Sequence, residues 1–188
     1  MHLSTVWTWL FWGWLAGEIL LAVFTRTRRG EGKVQDRGTK MILWVVIFIS
    51  ISALDSVQRL APAEMSSGAW IRAVSLALMI VGITIRVAAI LTLGKWFSTN
   101  VATHASQTLQ RSGLYSVVRH PSYLGMEIIF LAIGLHTRNW ACLAVVVILP
   151  TLAVLYRIHV EEQALLRAFG ASYADYSRTT KRLIPGVY

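Results

Sequence analysis

Hydrophobic residues in this 188-residue chain are gathered into five long runs separated by short polar stretches. The runs extend over residues 3–24, 41–60, 70–93, 122–135 and 140–158. At a rise of 1.5 Å per residue, the first three and the fifth are long enough for a hydrocarbon core of about 30 Å. The fourth is close to the lower limit. The pattern predicts an all-α integral membrane protein with about five transmembrane helices.

Composition supports the same class, because 55% of the residues are hydrophobic and only 14% are charged. A soluble domain carries about 25% charged residues. We expect one membrane domain over 1–188, with three spans in 1–93 and a loop, a helical hairpin and a tail in 94–188. The turn at 136–139 joins the last two runs, so both open ends of that hairpin lie on one side of the membrane.

Basic residues predict the orientation. Six of the eighteen Lys and Arg residues lie in 26–40, three in 94–121 and five in 157–182. Alternation of the runs puts all three stretches on one side, and positive loops are typically cytoplasmic. We therefore expect a multi-pass protein with its N-terminus outside. A net charge of +9 alone could suggest nucleic-acid binding, but the chain has no basic, aromatic-interleaved patch of that kind, which argues against it.

The C-terminal stretch over 161–176 has apolar residues at helical spacing: Leu165, Leu166, Phe169, Tyr173 and Tyr176. This spacing predicts an amphipathic helix on the cytoplasmic face. Among the charged residues inside the apolar runs, Glu18, Asp55, Arg86 and Glu127 are further candidates. Charges at that depth usually face a cavity or a partner. For Asp55 and Arg86 we favour structural pairing over catalysis.

Two polar clusters are the strongest candidates for chemistry. One is the stretch 111–123, RSGLYSVVRHPSY, and the other is Arg157 with Glu161 and Glu162. The hairpin returns residues near 120 and near 160 to the same membrane face. Pro121 suits the first turn of a helix, which leaves His120 at the helix N-terminus, where anions are favoured. Arg157 and Glu161 lie one helical turn apart.

Several common sites are not indicated. The histidines lack the spacing of a metal site, and we predict none. The chain has no G-x-G-x-x-G sequence, no P-loop and no nucleophile elbow, so a nucleotide cofactor is not expected on a Rossmann unit.

The polar clusters carry a family motif. It runs Gly113-x-Tyr115-x3-Arg119-His-Pro-Ser-Tyr123-x-Gly125, then Arg157-x3-Glu161-Glu162-x2-Leu165, Phe169-Gly170-x2-Tyr173-x2-Tyr176 and Arg182-Leu-Ile-Pro185. This pattern over 94–188 resembles the isoprenylcysteine carboxyl methyltransferase family. The resemblance implies a multi-span membrane enzyme that uses S-adenosylmethionine, bound in a cytoplasmic pocket under the C-terminal tail.

The resemblance also implies roles for individual residues. Arg157 matches the position near the substrate carboxylate, and with Glu161 it is expected to carry the reaction. The expected cofactor contacts are Asn100, Gln107, Leu109, Tyr115, His120, Pro121, Ser122, Tyr123 and Glu161. The expected acceptor is a lipophilic or lipidated acid that enters from the bilayer.

Other functions stay open at this point. The motif does not separate carboxylate acceptors from phospholipid amines or small thiols, although Arg157 favours a carboxylate because its planar fork suits one. A membrane transporter or scaffold would use the intramembrane charges without a cofactor pocket. A membrane reductase would place a nicotinamide cofactor in a similar site.

Overall fold

A computed structural model describes residues 3–24, 33–34, 38–65, 68–97, 102–103 and 108–188. Within these ranges the α-helices are α1 Leu3–Phe24, α2 Thr39–Ser52, α3 Leu54–Leu60, α4 Ala69–Leu93, α5 Pro121–Thr137, α6 Trp140–Phe169 and α7 Ala171–Thr179. Short 3₁₀ turns cover Gly94–Trp96 and Gly113–Ser116. Strands β1 Lys33–Val34 and β2 Ala102–Thr103 form one antiparallel pair between two loops. The all-helical membrane class is confirmed.

Three of the described helices, α1, α4 and α6, are long and apolar enough to cross a membrane. Helices α2 and α3 together pass the same test as one span bent by 45°. Helix α5 has 17 residues and so a length of about 25 Å, which agrees with the short fourth run. The count of five spans stays a prediction.

Helices α4 and α5 cross closely because glycines meet at their interface. A Cβ atom at Gly82 would lie 2.8 Å from the carbonyl oxygen of Gly125. A Cβ at Gly125 would lie 2.8 Å from the carbonyl oxygen of Gly82 and from the amide nitrogen of Arg86. Small residues at a membrane helix crossing let the two backbones approach. The crossing brings the start of α5 against the middle of α4.

The predicted hairpin of α5 and α6 is present, and Asn139 fixes its turn. The side chain of Asn139 accepts from the amide of Cys142 at 3.0 Å and thereby caps α6. It also donates to the carbonyl of Ala61 at 2.9 Å. These bonds join the turn to the stretch after α3, at the end of the hairpin away from its open ends.

The expected helix over 161–176 has the wrong boundaries. Residues 161–169 continue α6, and a separate helix, α7, begins only after Gly170. The reason is local, because the stretch from Glu161 to Phe169 consists mostly of good helix formers and contains neither Pro nor Gly. Gly170, with φ of 51°, ends the long helix.

The charges inside the apolar runs have different partners from those expected. Asp55 does not pair with Arg86. It pairs with Arg59 on the exposed side of α3. Arg86 pairs with Glu18 across α4 and α1, and both side chains are buried. Glu127 accepts from the hydroxyl of Thr151 at 2.6 Å, between α5 and α6. The general expectation that such charges face a partner is confirmed, but the Asp55–Arg86 pair was wrong.

Candidate active site

A cleft of about 1350 Å³, counting its open mouth, lies among α1, α2, α4, α5, α6 and α7. Its wall includes polar residues from the two predicted clusters and large apolar residues from the N-terminal helices. The polar ones include Tyr115, Arg119, His120, Ser122, Tyr123, Arg157 and Glu161, and the apolar ones include Trp14, Leu43, Trp44 and Ile47.

Tyr123 connects the two polar clusters. Its hydroxyl accepts from Nε of Arg157 at 2.7 Å and donates to Oε2 of Glu161 at 2.9 Å. Arg157 is 4% exposed, so these bonds form away from bulk water, where charge-assisted hydrogen bonds are strongest. The two polar clusters therefore come together as predicted, and the phenol group of Tyr123 at the start of α5 contacts both Arg157 and Glu161 on α6.

Arg157 also has a partner that the sequence did not indicate. Its Nη1 donates to Oγ1 of Thr39 at 3.0 Å. Thr39 is the first residue of α2 and is 1% exposed. Helices α2, α5 and α6 thus all contribute to the surroundings of one guanidinium group.

The carboxylate of Glu162 contacts three basic side chains beside the cleft. One of its oxygens accepts from Nε and Nη2 of Arg119 at 2.9 and 2.7 Å and lies 3.4 Å from Nε2 of His120. The other accepts from Nε of Arg182 at 2.8 Å. One carboxylate thereby joins the loop before α5, the end of α6 and the C-terminal segment.

The C-terminal segment is also held to the loop before α5 through its backbone. The amides of Arg119 and His120 donate to the carbonyls of Lys181 and Arg182 at 2.8 and 3.0 Å. Arg119 donates to the carbonyls of Ser177 and Thr180. The end of α7 and the residues after it are therefore fixed beside the cleft.

Two tyrosines connect α7 to the wall of the cleft. The hydroxyl of Tyr176 donates to the carbonyl of Tyr115 at 2.5 Å, and the hydroxyl of Tyr115 lies 3.4 Å from the carbonyl of Ala89. Burial raises the pKa of Tyr115 above its ordinary value, and the charge of Glu161 adds to the effect. Burial also raises the pKa of Tyr176 to about 12. Both hydroxyls are protonated donors at neutral pH.

Ser122 links the site to α4 and α1. Nη1 of Arg86 donates to its hydroxyl at 2.7 Å and to its carbonyl at 3.2 Å. On its other edge Arg86 binds the carboxylate of Glu18 through two nitrogens, with Nη2 at 2.6 Å from Oε2. The start of α5 is therefore connected to an ion pair between α1 and α4.

Most of the predicted site residues come together. Those that line the cleft are Leu109, Tyr115, His120, Ser122, Tyr123, Arg157 and Glu161. Pro121 is buried at the first position of α5 and, within the described ranges, is not part of the wall. Asn100 and Gln107 lie outside the described residues.

Sequence reasoning missed the contribution of α1 and α2: Thr39 contacts Arg157, and Trp14 and Trp44 line the cleft. Several tryptophans lie near the ends of the apolar runs, a position that predicts rings at the membrane interface: Trp7, Trp9, Trp44, Trp70, Trp96 and Trp140. Of these, Trp7 is buried and stacks on His136 with a ring-centroid distance of 4.0 Å, and Trp44 faces the cleft. Trp9, Trp70 and Trp140 are exposed near helix ends, as expected. No local motif distinguishes the two groups, because the difference depends on how each helix is rotated.

Comparisons with known proteins agree with this geometry. Residues 75–167 match the model of the isoprenylcysteine carboxyl methyltransferase (ICMT) family. The protein-S-isoprenylcysteine O-methyltransferase of Tribolium castaneum is 31% identical over 118 residues, which are 62% of this chain and 42% of that protein. Methanethiol S-methyltransferase 2 of Bradyrhizobium diazoefficiens is 32% identical over 84 residues, 45% of this chain and 31% of that protein.

Among solved structures, the eukaryotic intramembrane Ras methyltransferase ICMT superposes with a TM-score of 0.65 and 27% identity. The superposition covers 77% of this chain and 52% of that one. The chain therefore matches about half the length of these relatives, or less. The matched segment, 75–167, contains α5, most of α4 and α6, and the Tyr123, Arg157 and Glu161 side chains, and through it this chain belongs to the isoprenylcysteine carboxyl methyltransferase family.

Proposed function

We propose that this chain is an S-adenosylmethionine-dependent membrane methyltransferase that O-methylates the carboxylate of a lipophilic, isoprenylcysteine-like acceptor. One observation carries the proposal: a single cleft joins the Arg157–Tyr123–Glu161 chain to an apolar wall formed by α1 and α2. One cleft therefore offers polar contacts to a cofactor and apolar contacts to an acceptor.

The residues at the polar end fit the methyl donor. Tyr115 and Tyr123 offer aromatic faces, which suit a cationic sulfur, and Glu161 offers a carboxylate for amino or ribose groups. His120, Ser122 and Leu109 complete this side of the cleft. When bound, S-adenosylmethionine supplies a methyl group on a positively charged sulfur, so the protein itself needs no nucleophile. Asn100, Gln107 and Pro121 remain proposed contacts from the family pattern.

The acceptor side favours an anion. Arg157 presents a guanidinium whose fork suits a carboxylate, and Lys40 adds a second positive side chain to the wall. A carboxylate is already nucleophilic at neutral pH and needs no general base. The work left to the chain is to orient the two reactants and to exclude water, which by proximity alone lowers the barrier by several kcal/mol. A cationic amine would meet like charge here.

The apolar wall fits an acceptor that arrives from the bilayer. Trp14, Leu43, Trp44 and Ile47 come from α1 and α2, whose other faces expose large apolar residues. The acceptor's hydrocarbon chain would lie against this wall while its carboxylate meets Arg157. The positive charge of the loops supports a cofactor side on the cytoplasmic face and an N-terminus outside.

Two measurements test the proposal. Isothermal titration of the detergent-solubilised protein with S-adenosylhomocysteine should show saturable binding, and absence of binding would refute a methyltransferase. Incubation with methyl-labelled S-adenosylmethionine and N-acetyl-S-farnesylcysteine should give a labelled product. Mild base should release the label as methanol, because only a methyl ester hydrolyses under those conditions.

A second candidate is thiol S-methylation, favoured by the similarity to methanethiol S-methyltransferase 2. Its product is a thioether that keeps its label in mild base. A lipid extract or a small alkanethiol in the same incubation separates the two candidates. Base-stable label from the thiol, without base-labile label from the acid, would replace the carboxylate proposal.

A further inference from the structure

Thr39, the first residue of α2, is buried and contacts a residue of the candidate active site. It is 1% exposed, and it follows Gly38, whose φ of 75° lets the chain turn into α2. Its hydroxyl oxygen accepts from Nη1 of Arg157 at 3.0 Å, although 118 positions separate the two in sequence. Helix α2 lies outside the family-matched segment 75–167, so the family match assigns it no role.

Two helices fix the guanidinium group of Arg157 from different directions. Tyr123 of α5 binds Nε at 2.7 Å, and Thr39 of α2 binds Nη1 at 3.0 Å. A guanidinium is planar, so a contact at one nitrogen leaves the plane able to turn, whereas contacts at two nitrogens set its orientation. Since Arg157 itself stands on α6, three helices determine where its N–H bonds point.

We propose that Thr39 is a positioning residue for Arg157: its hydroxyl holds the guanidinium in the orientation that binds the acceptor's carboxylate. This inference rests on the proposed carboxyl methyltransferase function. It gives the N-terminal half of the chain a part in the reaction, because Thr39 lies outside the matched segment 75–167.

The hydroxyl can be separated from the bulk of the side chain. Thr39→Val keeps the shape and removes the acceptor, while Thr39→Ser keeps the acceptor and removes a methyl group. Ser50→Ala is a matched control, because Ser50 is also a buried hydroxyl on α2 and its bond goes to the carbonyl of Val46 at 2.7 Å. A purely structural role predicts that Ser50→Ala and Thr39→Val behave alike.

The first readout does not depend on the activity. In ¹⁵N-labelled protein in detergent, the Nε–H signal of Arg157 is assigned by its loss in Arg157→Lys. It should shift or broaden in Thr39→Val and stay in place in Thr39→Ser and Ser50→Ala. An unmoved signal in Thr39→Val would show that the contact does not orient Arg157 and would overturn the inference.

The second readout is kinetic. With N-acetyl-S-farnesylcysteine as the acceptor, kcat of Thr39→Val should fall roughly 10- to 100-fold, the scale of a misplacement of about 1 Å. The Kd for S-adenosylhomocysteine should stay within about threefold, and Thr39→Ser should recover most of the rate. An equal loss of cofactor affinity, or full activity in Thr39→Val, would overturn the positioning role. A wild-type protein that neither binds S-adenosylhomocysteine nor transfers methyl groups would refute the proposed function. The Nε–H signal of Arg157 would still report whether Thr39 orients the guanidinium group.

Discussion

The phenol oxygen of Tyr123 on α5 lies 2.7 Å from Nε of Arg157, which stands 34 positions later in the chain on α6. The same hydroxyl donates a hydrogen bond to Oε2 of Glu161 at 2.9 Å. One hydroxyl therefore connects the group proposed to bind the acceptor with the group proposed to bind the cofactor. Both halves of the proposed reaction depend on this bridge.

Tyr123→Phe should lower kcat/KM for methyl transfer roughly 100- to 10,000-fold. Hydrogen bonds to charged groups contribute about 1.5–3 kcal/mol, and the variant loses two of them while it keeps the ring. Initial rates with N-acetyl-S-farnesylcysteine measure the effect. Combining Tyr123→Phe with Glu161→Ala should cost less than the sum of the single losses, because the two side chains share a hydrogen bond. Full additivity would contradict the bridge.

Arg157→Ala and Glu161→Ala should divide the two binding functions. Arg157→Ala should abolish methyl transfer while the Kd for S-adenosylhomocysteine changes little, because the guanidinium is assigned to the acceptor. Glu161→Ala should weaken S-adenosylhomocysteine binding at least tenfold. Titration calorimetry and rate measurements on the same preparations provide the comparison. Equal defects in both variants would show that the two residues do not serve separate ligands.

The parts of this site that are close along the hairpin were predictable. Helices α5 and α6 are joined by a short turn, so Tyr123 and Arg157 had to return to the same end whatever the remaining helices do. Pro121 fixed the start of α5, and the polar residues around it stood out against the apolar runs. Local chain geometry was enough for this part.

The partners supplied by α1 and α2 were not predictable in the same way. Thr39 reaches Arg157, and Glu18 reaches Arg86, only because their helices have one particular rotation and depth. Apolar residues surround these helices on most faces, so their sequences contain weak information on rotation. The error of pairing Asp55 with Arg86 has the same origin. That prediction considered only where each residue lies within its apolar run. Asp55 lies on the bent α2–α3 segment, and its side chain is exposed.

Glu162→Gln should destabilise the protein by about 3–5 kcal/mol, because it leaves Arg119 and Arg182 without their carboxylate. The side chain of Glu162 is only 12% exposed, so solvent compensates little. Thermal unfolding in detergent measures the loss, and the C-terminal segment should become more sensitive to protease. Asp55→Asn is the control, since its pair with Arg59 is exposed and should contribute less than about 1 kcal/mol. Similar shifts in both variants would argue against this role.

The Glu18–Arg86 pair should behave as a buried unit. Glu18→Gln alone leaves the Arg86 charge uncompensated and should cost about 3–5 kcal/mol. The double variant Glu18→Gln/Arg86→Gln removes both charges and should be more stable than Glu18→Gln. Unfolding midpoints of the single and double variants in one detergent complete the cycle. A double variant less stable than either single one would mean that the two charges act independently.

Gly125→Ala should loosen the crossing that places the start of α5. The added Cβ would lie 2.8 Å from backbone atoms of Gly82 and Arg86, and backbone does not yield as a flexible side chain does. Overpacking of this kind costs about 1–3 kcal/mol. Because Ser122 and Tyr123 stand in the same helical turn, methyl transfer should fall together with the unfolding midpoint. Gly13→Ala is the matched control: its Cβ meets nothing within 4 Å, and alanine favours a helix over glycine by about 1 kcal/mol. The control should therefore unfold no earlier than the wild type. If Gly125→Ala matched the control in both stability and rate, the close α4–α5 approach would not be what positions the site.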